Sequence, residues 1–122
     1  ELGKMVETAV YKHVAAFYYQ QATRVGYYRG GRKNKEIDVV VDYPNIKNIL
    51  IEVKYREQAP IPDDSAICTL SDEASAAIIV TKRPDDYGTH HAPNGKELIR
   101  IPAFAFLYLL GNAERYGYRG KE

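Results

Sequence analysis

Glu36-Ile37-Asp38-Val39-Val40-Val41-Asp42 and, across residues 43–47, Asn48-Ile49-Leu50-Ile51-Glu52-Val53-Lys54 are the stretches that decide the fold. The first alternates acidic and apolar residues and then becomes a β-branched run. The second reverses that order, apolar first and then acid, valine, base. Both suit strands, and Tyr43-Pro44-Asn45-Ile46-Lys47 between them is short and turn-like. An antiparallel hairpin is expected.

Upstream, Leu2, Val6, Val10, Val14 and Phe17 recur at steps of three and four, which predicts an amphipathic helix over residues 2–22. Glu7, Tyr11 and Tyr18 form a neighbouring stripe. Residues 24–29 suit a short strand, with a turn at Gly30-Gly31-Arg32-Lys33-Asn34. Downstream, Asp63-Asp64-Ser65 is placed to cap a short helix within 63–71, and residues 76–81 form a compact apolar run suited to a buried strand. Pro84, Gly88, Pro93 and Gly95 mark residues 82–96 as a long loop. Residues 97–101 form a further strand, and Pro102 opens a helix from Ala103 to Leu110 that Gly111 can end. The expected fold is α/β, a central mixed sheet flanked by helices, with residues 1–122 as a single domain.

The 122 residues suffice for one modest core, and 45% apolar with 27% charged residues is an ordinary globular mixture. A net charge of +1 excludes a polycation, so a nucleic-acid footprint must be local. Arg24, Arg29, Arg32, Lys33 and Lys35, interleaved with Tyr27 and Tyr28, are the local candidate; a solvated hairpin tip explains the same residues. The aromatics are 11 Tyr and 3 Phe with no Trp. They fit either wet core edges or a surface that stacks bases or meets a protein. The single cysteine, Cys68, sits in an apolar context and cannot build a disulfide framework or a cysteine zinc site. A buried, reduced thiol fits the cytoplasm. The first residues do not read as a signal peptide, and no apolar run is long enough to span a membrane. Glu1 leads straight into the helical pattern, as in a piece of a longer protein.

Residues two apart on a strand share a face, so Glu52 and Lys54 project together while Val53 faces the opposite layer. By itself this pair reads as a same-face ion pair. Asp38 on the preceding strand can come level with Glu52, and two carboxylates brought together repel unless a cation lies between them. Such oxygen ligands suit Mg²⁺ or Mn²⁺, which keep several waters. The reaction served by that set is phosphodiester hydrolysis, with Lys54 orienting or deprotonating the attacking water and Glu7 adding a carboxylate from the side. Glu7 also suits a solvated helix position. His90-His91 lacks a carboxylate or Cys partner at ligand spacing and is expected in a mobile loop. His13 is expected at the edge of the core. Lys82 and Arg83 fit phosphate contacts or solvent.

With Glu7 in a first helix, Ile37-Asp38 on one strand and Ile51-Glu52-Val53-Lys54 on the next, the chain resembles the PD-(D/E)XK nucleases. The order αβββαβ is similar to their restriction-endonuclease-like core. More closely, the chain resembles the C-terminal nuclease-like domain behind the ATPase module of archaeal and bacterial AAA+ ATPases. The matching stretches are Val6 to Val10, Tyr28-Arg29 before Lys35 to Asp38, Ile51 to Tyr55, Ile79 to Lys82 and Ile101 to Phe104. The resemblance implies Asp38 and Glu52 as metal ligands, Lys54 as the catalytic lysine and Glu7 as an accessory acid. It also implies Mg²⁺ or Mn²⁺ as cofactor and an upstream ATPase domain, and of the local basic patch Arg29, Arg32 and Lys33 are the expected contacts to DNA. A homodimer would let two sites cut two strands. Ile37 stands where many of these nucleases have Pro. There is no Gly-rich Lys-Ser/Thr loop, so ATP binding is not expected of these residues. A catalytically silent module that binds DNA or a protein is the alternative.

Overall fold

A computed structural model describes residues 2–19, 24–30, 35–42 and 47–117, with no side-chain detail for 113–117. Helix α1 (Leu2–Tyr18) leads into strands β1 (Arg24–Arg29), β2 (Glu36–Asp42) and β3 (Asn48–Lys54). A short helix α2 (Ala66–Thr69) and a 3₁₀ turn at Ser71–Glu73 precede β4 (Ala74–Thr81). Strands β5 (Gly88–His91) and β6 (Glu97–Pro102) then lead to helix α3 (Ala103–Gly117). The six strands form one mixed sheet in the order β1-β2-β3-β4-β6-β5. The pairs β1–β2, β2–β3 and β5–β6 are antiparallel, while β3–β4 and β4–β6 are parallel.

A core lies on each face of this sheet. Val10 and Val14 of α1, Phe106 of α3 and the sheet residues Val39, Val41, Ile51, Val53 and Val80 bury one another on one side. On the other, Ile67 and Cys68 of α2 pack with Ile37, Leu50, Ala77, Ile79 and Leu98. Burial on both faces is why β3 and β4 read as near-continuous apolar runs. Cys68 is buried and free, as expected.

Strand β2 departs from simple alternation. Gly26 pairs with Val40 and Tyr28 with Ile37, so Tyr27 alone faces both Asp38 and Val39. This is a β-bulge on β2. Its consequence shows in the packing: Ile37 and Val40 join the α2-side core, whereas Val39 and Val41 join the α1-side core. The bulge therefore re-aims Asp38, the residue at its centre. Next to it, Gly30 lies so close to Lys35 that an added Cβ would stand 2.6 Å from the Lys35 carbonyl oxygen.

Three expectations need correction. The stretch 82–96 is not all loop: Gly88–His91 pairs with β6 as an edge strand. Its polar Gly-Thr-His-His sequence shows no alternation because most of it is exposed. Helix α3 does not end at Gly111 but runs to Gly117, since one interior glycine costs a helix only about 1 kcal/mol. His13 is exposed, its Nδ1 lying 2.8 Å from the Ala9 carbonyl oxygen of its own helix. The predicted end of the first helix (20–22) lies outside the described residues, as do most of both hairpin turns (31–34 and 43–46). Among the described residues no helix is long and apolar enough to cross a membrane.

Candidate metal and nucleic-acid site

Ladder pairing between β2 and β3 runs through Val41↔Ile49, Val40↔Leu50 and Val39↔Ile51. One further step would set Asp38 opposite Glu52. At that step a side chain replaces the backbone acceptor: the Val53 N–H donates to Oδ2 of Asp38 at 2.8 Å. The bulge thus places the Asp38 carboxylate between the strands, next to Glu52. Glu52 and Lys54 share a face of β3, with Lys54 Nζ 3.5 Å from Oε2 of Glu52. Both side chains are mostly buried, 22% exposed for Lys54 and 14% for Glu52.

Electrostatically the site is unfinished. Burial, and then the neighbouring Asp38 carboxylate, push Glu52 from its ordinary 4.5 up to about 7 against the pull of Lys54. Its Oε1 is buried and makes no hydrogen bond. Asp38 is also raised, first by burial and then by Glu7, against the Val53 N–H and the charges of Lys54 and Arg29. An unpaired buried carboxylate oxygen costs more than a hydrogen bond returns, so the group either stays protonated or takes a cation.

Glu7 faces the site from α1 and lines a cavity together with Asp38, Tyr27 and Arg29. Among the described residues no three His, Cys, Asp or Glu side chains gather to hold a metal. A divalent ion held here would have Asp38 and Glu52 as its protein ligands and would need water for the rest, as Mg²⁺ commonly does. The unpartnered Glu52 Oε1 is compatible with such an ion.

Of the expected DNA contacts, Arg29 stands at the end of β1 with its guanidinium 4.4 Å from the centre of the Tyr27 ring. Arg32 and Lys33 lie outside the described residues. Lys82 pairs with Glu57 at 3.4 Å, and Arg83 pairs with Asp85. His91 lies 3.0 Å from Glu97 on the exposed edge hairpin, far from a ligand role. Lys12 and Arg56, which the sequence reading passed over, line cavities next to the carboxylates. The signal for Lys12 was present, because it follows Thr8 by one helical turn on the flank of the Glu7–Tyr11 stripe.

The family described as Domain of unknown function (DUF4143) matches residues 2–104, and the chain belongs to that family. Domains of this kind occur in proteins associated with AAA-type ATPases. No curated protein matches the sequence.

Proposed function

We propose that the domain hydrolyses phosphodiester bonds of DNA with the help of Mg²⁺ or Mn²⁺, in a nuclease-like domain of PD-(D/E)XK type attached to an AAA+ ATPase. The observation that carries this reading is the buried, unpaired Oε1 of Glu52 beside Asp38, with the Lys54 ammonium 3.5 Å from the other oxygen. Asp38 and Glu52 would hold the ion. When bound, it polarises the phosphoryl oxygen and acidifies water. The Val53 N–H fixes the Asp38 carboxylate, so that its free oxygen keeps one orientation. Lys54 holds a positive charge next to the carboxylates, where it steers the attacking water and offsets charge on the phosphoryl group. Glu7 presents a further carboxylate next to Asp38 that can accept a proton.

One observation favours a second reading. The Lys54–Glu52 ion pair and the two-carboxylate donor set also suit a module that binds DNA or a protein without cutting. Incubation of the protein with plasmid and oligonucleotide DNA, with and without Mn²⁺, separates the two. The hydrolytic reading expects metal-dependent cleavage that falls at least about a hundredfold in Asp38→Ala, Glu52→Ala and Lys54→Ala, each still folded by circular dichroism. Cleavage that survives all three changes overturns the assignment.

A further inference from the structure

The surface around Asp38 carries more than its carboxylates. Two cavities meet at Glu7. One, about 250 Å³, is lined by Lys12 of α1, Tyr27 and Arg29 of β1, and Asp38. The other, about 470 Å³, lies against the first turns of α1 and is lined by Val53, Tyr55 and Arg56. The hydrogen bond from the Val53 N–H to Asp38 joins the floor of one to the floor of the other. Taken together as one trough with two arms, they place Lys12 and Arg29 on one side of Glu7 and Asp38, and Arg56 on the other.

Each arm also has an aromatic wall. Tyr27 is 62% exposed, with the Arg29 guanidinium stacked on it. Tyr55 is half-buried, and the Lys82 ammonium lies 5.7 Å from its ring centre. Tyr55 also packs against the α1-side core, so Tyr27 offers the more open ring; cations interleaved with such rings are what a flexible polyanion with flat bases requires. We propose that this trough binds single-stranded nucleic acid, its phosphates on Lys12, Arg29 and Arg56 and its bases against Tyr27 and Tyr55. Glu52 and Lys54 line neither cavity, because Val53 and Tyr55 present the other face of β3. The trough therefore reaches the site through Asp38 and Glu7, and the proposal rests on the phosphodiesterase reading for what happens to the strand there.

A duplex fits less well for a physical reason. Inside a duplex each base face is covered by its neighbours, so an aromatic wall gains nothing from it. The larger arm has the scale of a small-ligand pocket, generally about 300–1,000 Å³, and the other is smaller still, which suits an unstacked nucleotide rather than a helix.

The test is fluorescence anisotropy of the full chain in EDTA, where metal-dependent cleavage is off. The probes are a labelled oligothymidylate and a mixed-sequence duplex of the same length. The expected result is a single strand bound at least about tenfold more tightly than the duplex. Tyr27→Ala should weaken the single strand about five- to a hundredfold, the value of one stacked base, and Tyr27→Phe should restore it. Lys12→Gln with Arg56→Gln should flatten the log–log salt slope by about 1.4, two phosphate contacts at about 0.7 each. All three positions are exposed, so the fold is expected to hold, and melting curves check it. Equal or tighter duplex binding, or an unchanged salt slope, overturns the proposal. Its fate separates from that of the hydrolytic reading: strand binding with no cleavage defeats hydrolysis alone, and cleavage with duplex preference defeats the trough alone.

Discussion

Two partly buried clusters of charge lie on this sheet, and they are built to opposite ends. At Arg100 on β6, Nε and Nη2 donate to both oxygens of Asp86 at 2.9 and 2.8 Å, while Nη1 donates to the Ala59 carbonyl at 3.1 Å. Every oxygen of that carboxylate is occupied, and Arg100 holds Asp86 below the ordinary carboxylate range. At Asp38, Glu52 and Lys54 the same ingredients leave both acids raised and one oxygen of Glu52 without a partner. The first cluster ties the loop after β4 to β6 with bidentate geometry. The second leaves charge unsatisfied, the pattern on which the proposed site rests.

The two clusters should respond to opposite ends of the pH scale. After the loss of cleavage described above, the largest effect concerns Glu52. Its folded value, about 7, lies above its ordinary 4.5, so the folded state holds the proton more tightly. Stability is then full below about pH 4.5 and declines as pH rises through 7, by roughly 3 kcal/mol from the size of the shift. Glu52→Gln removes that decline. In thermal melts without metal the variant should match the wild type near pH 4 and exceed it at pH 8; equal melting points at both would show that Glu52 is not strained.

A smaller effect of opposite sign is expected of Asp86. Its folded value is depressed, so its contribution is present above the ordinary carboxylate value of 3.8 and disappears as pH falls below it. Asp86→Asn should cost about 1–2 kcal/mol at pH 7, the range for hydrogen bonds to a charged group near the surface, and little near pH 2. Urea unfolding at the two pH values measures it. A cost that persists in acid would mean that packing rather than charge holds the loop.

Much of this contrast was legible in the sequence, though unevenly. The hairpin of β2 and β3, the apolar β4 and the first helix follow from periodicity, because each buries a regular face. The family resemblance and the order of acids brought Asp38, Glu52 and Lys54 together, and the structure sets the first two beside one another. The bulge that does so was hidden, since an extra residue in β2 shows only against its partner β1. Strand β5 was hidden for another reason: an exposed edge strand needs no apolar alternation. Arg56 was missed because its relation to Asp38 passes between elements, and Lys12 because its helical spacing gives a flank but not what faces that flank. The Asp86–Arg100 pair, 14 residues apart, had no local signal at all.

The most direct test of the central claim is calorimetric titration of Mn²⁺ into wild type and Glu52→Gln at pH 8, where the Glu52 carboxylate is charged. The account predicts binding by the wild type that weakens as pH falls below 7, and none by the variant. Equal binding by both proteins would contradict it, because the ion would then sit somewhere other than between Asp38 and Glu52.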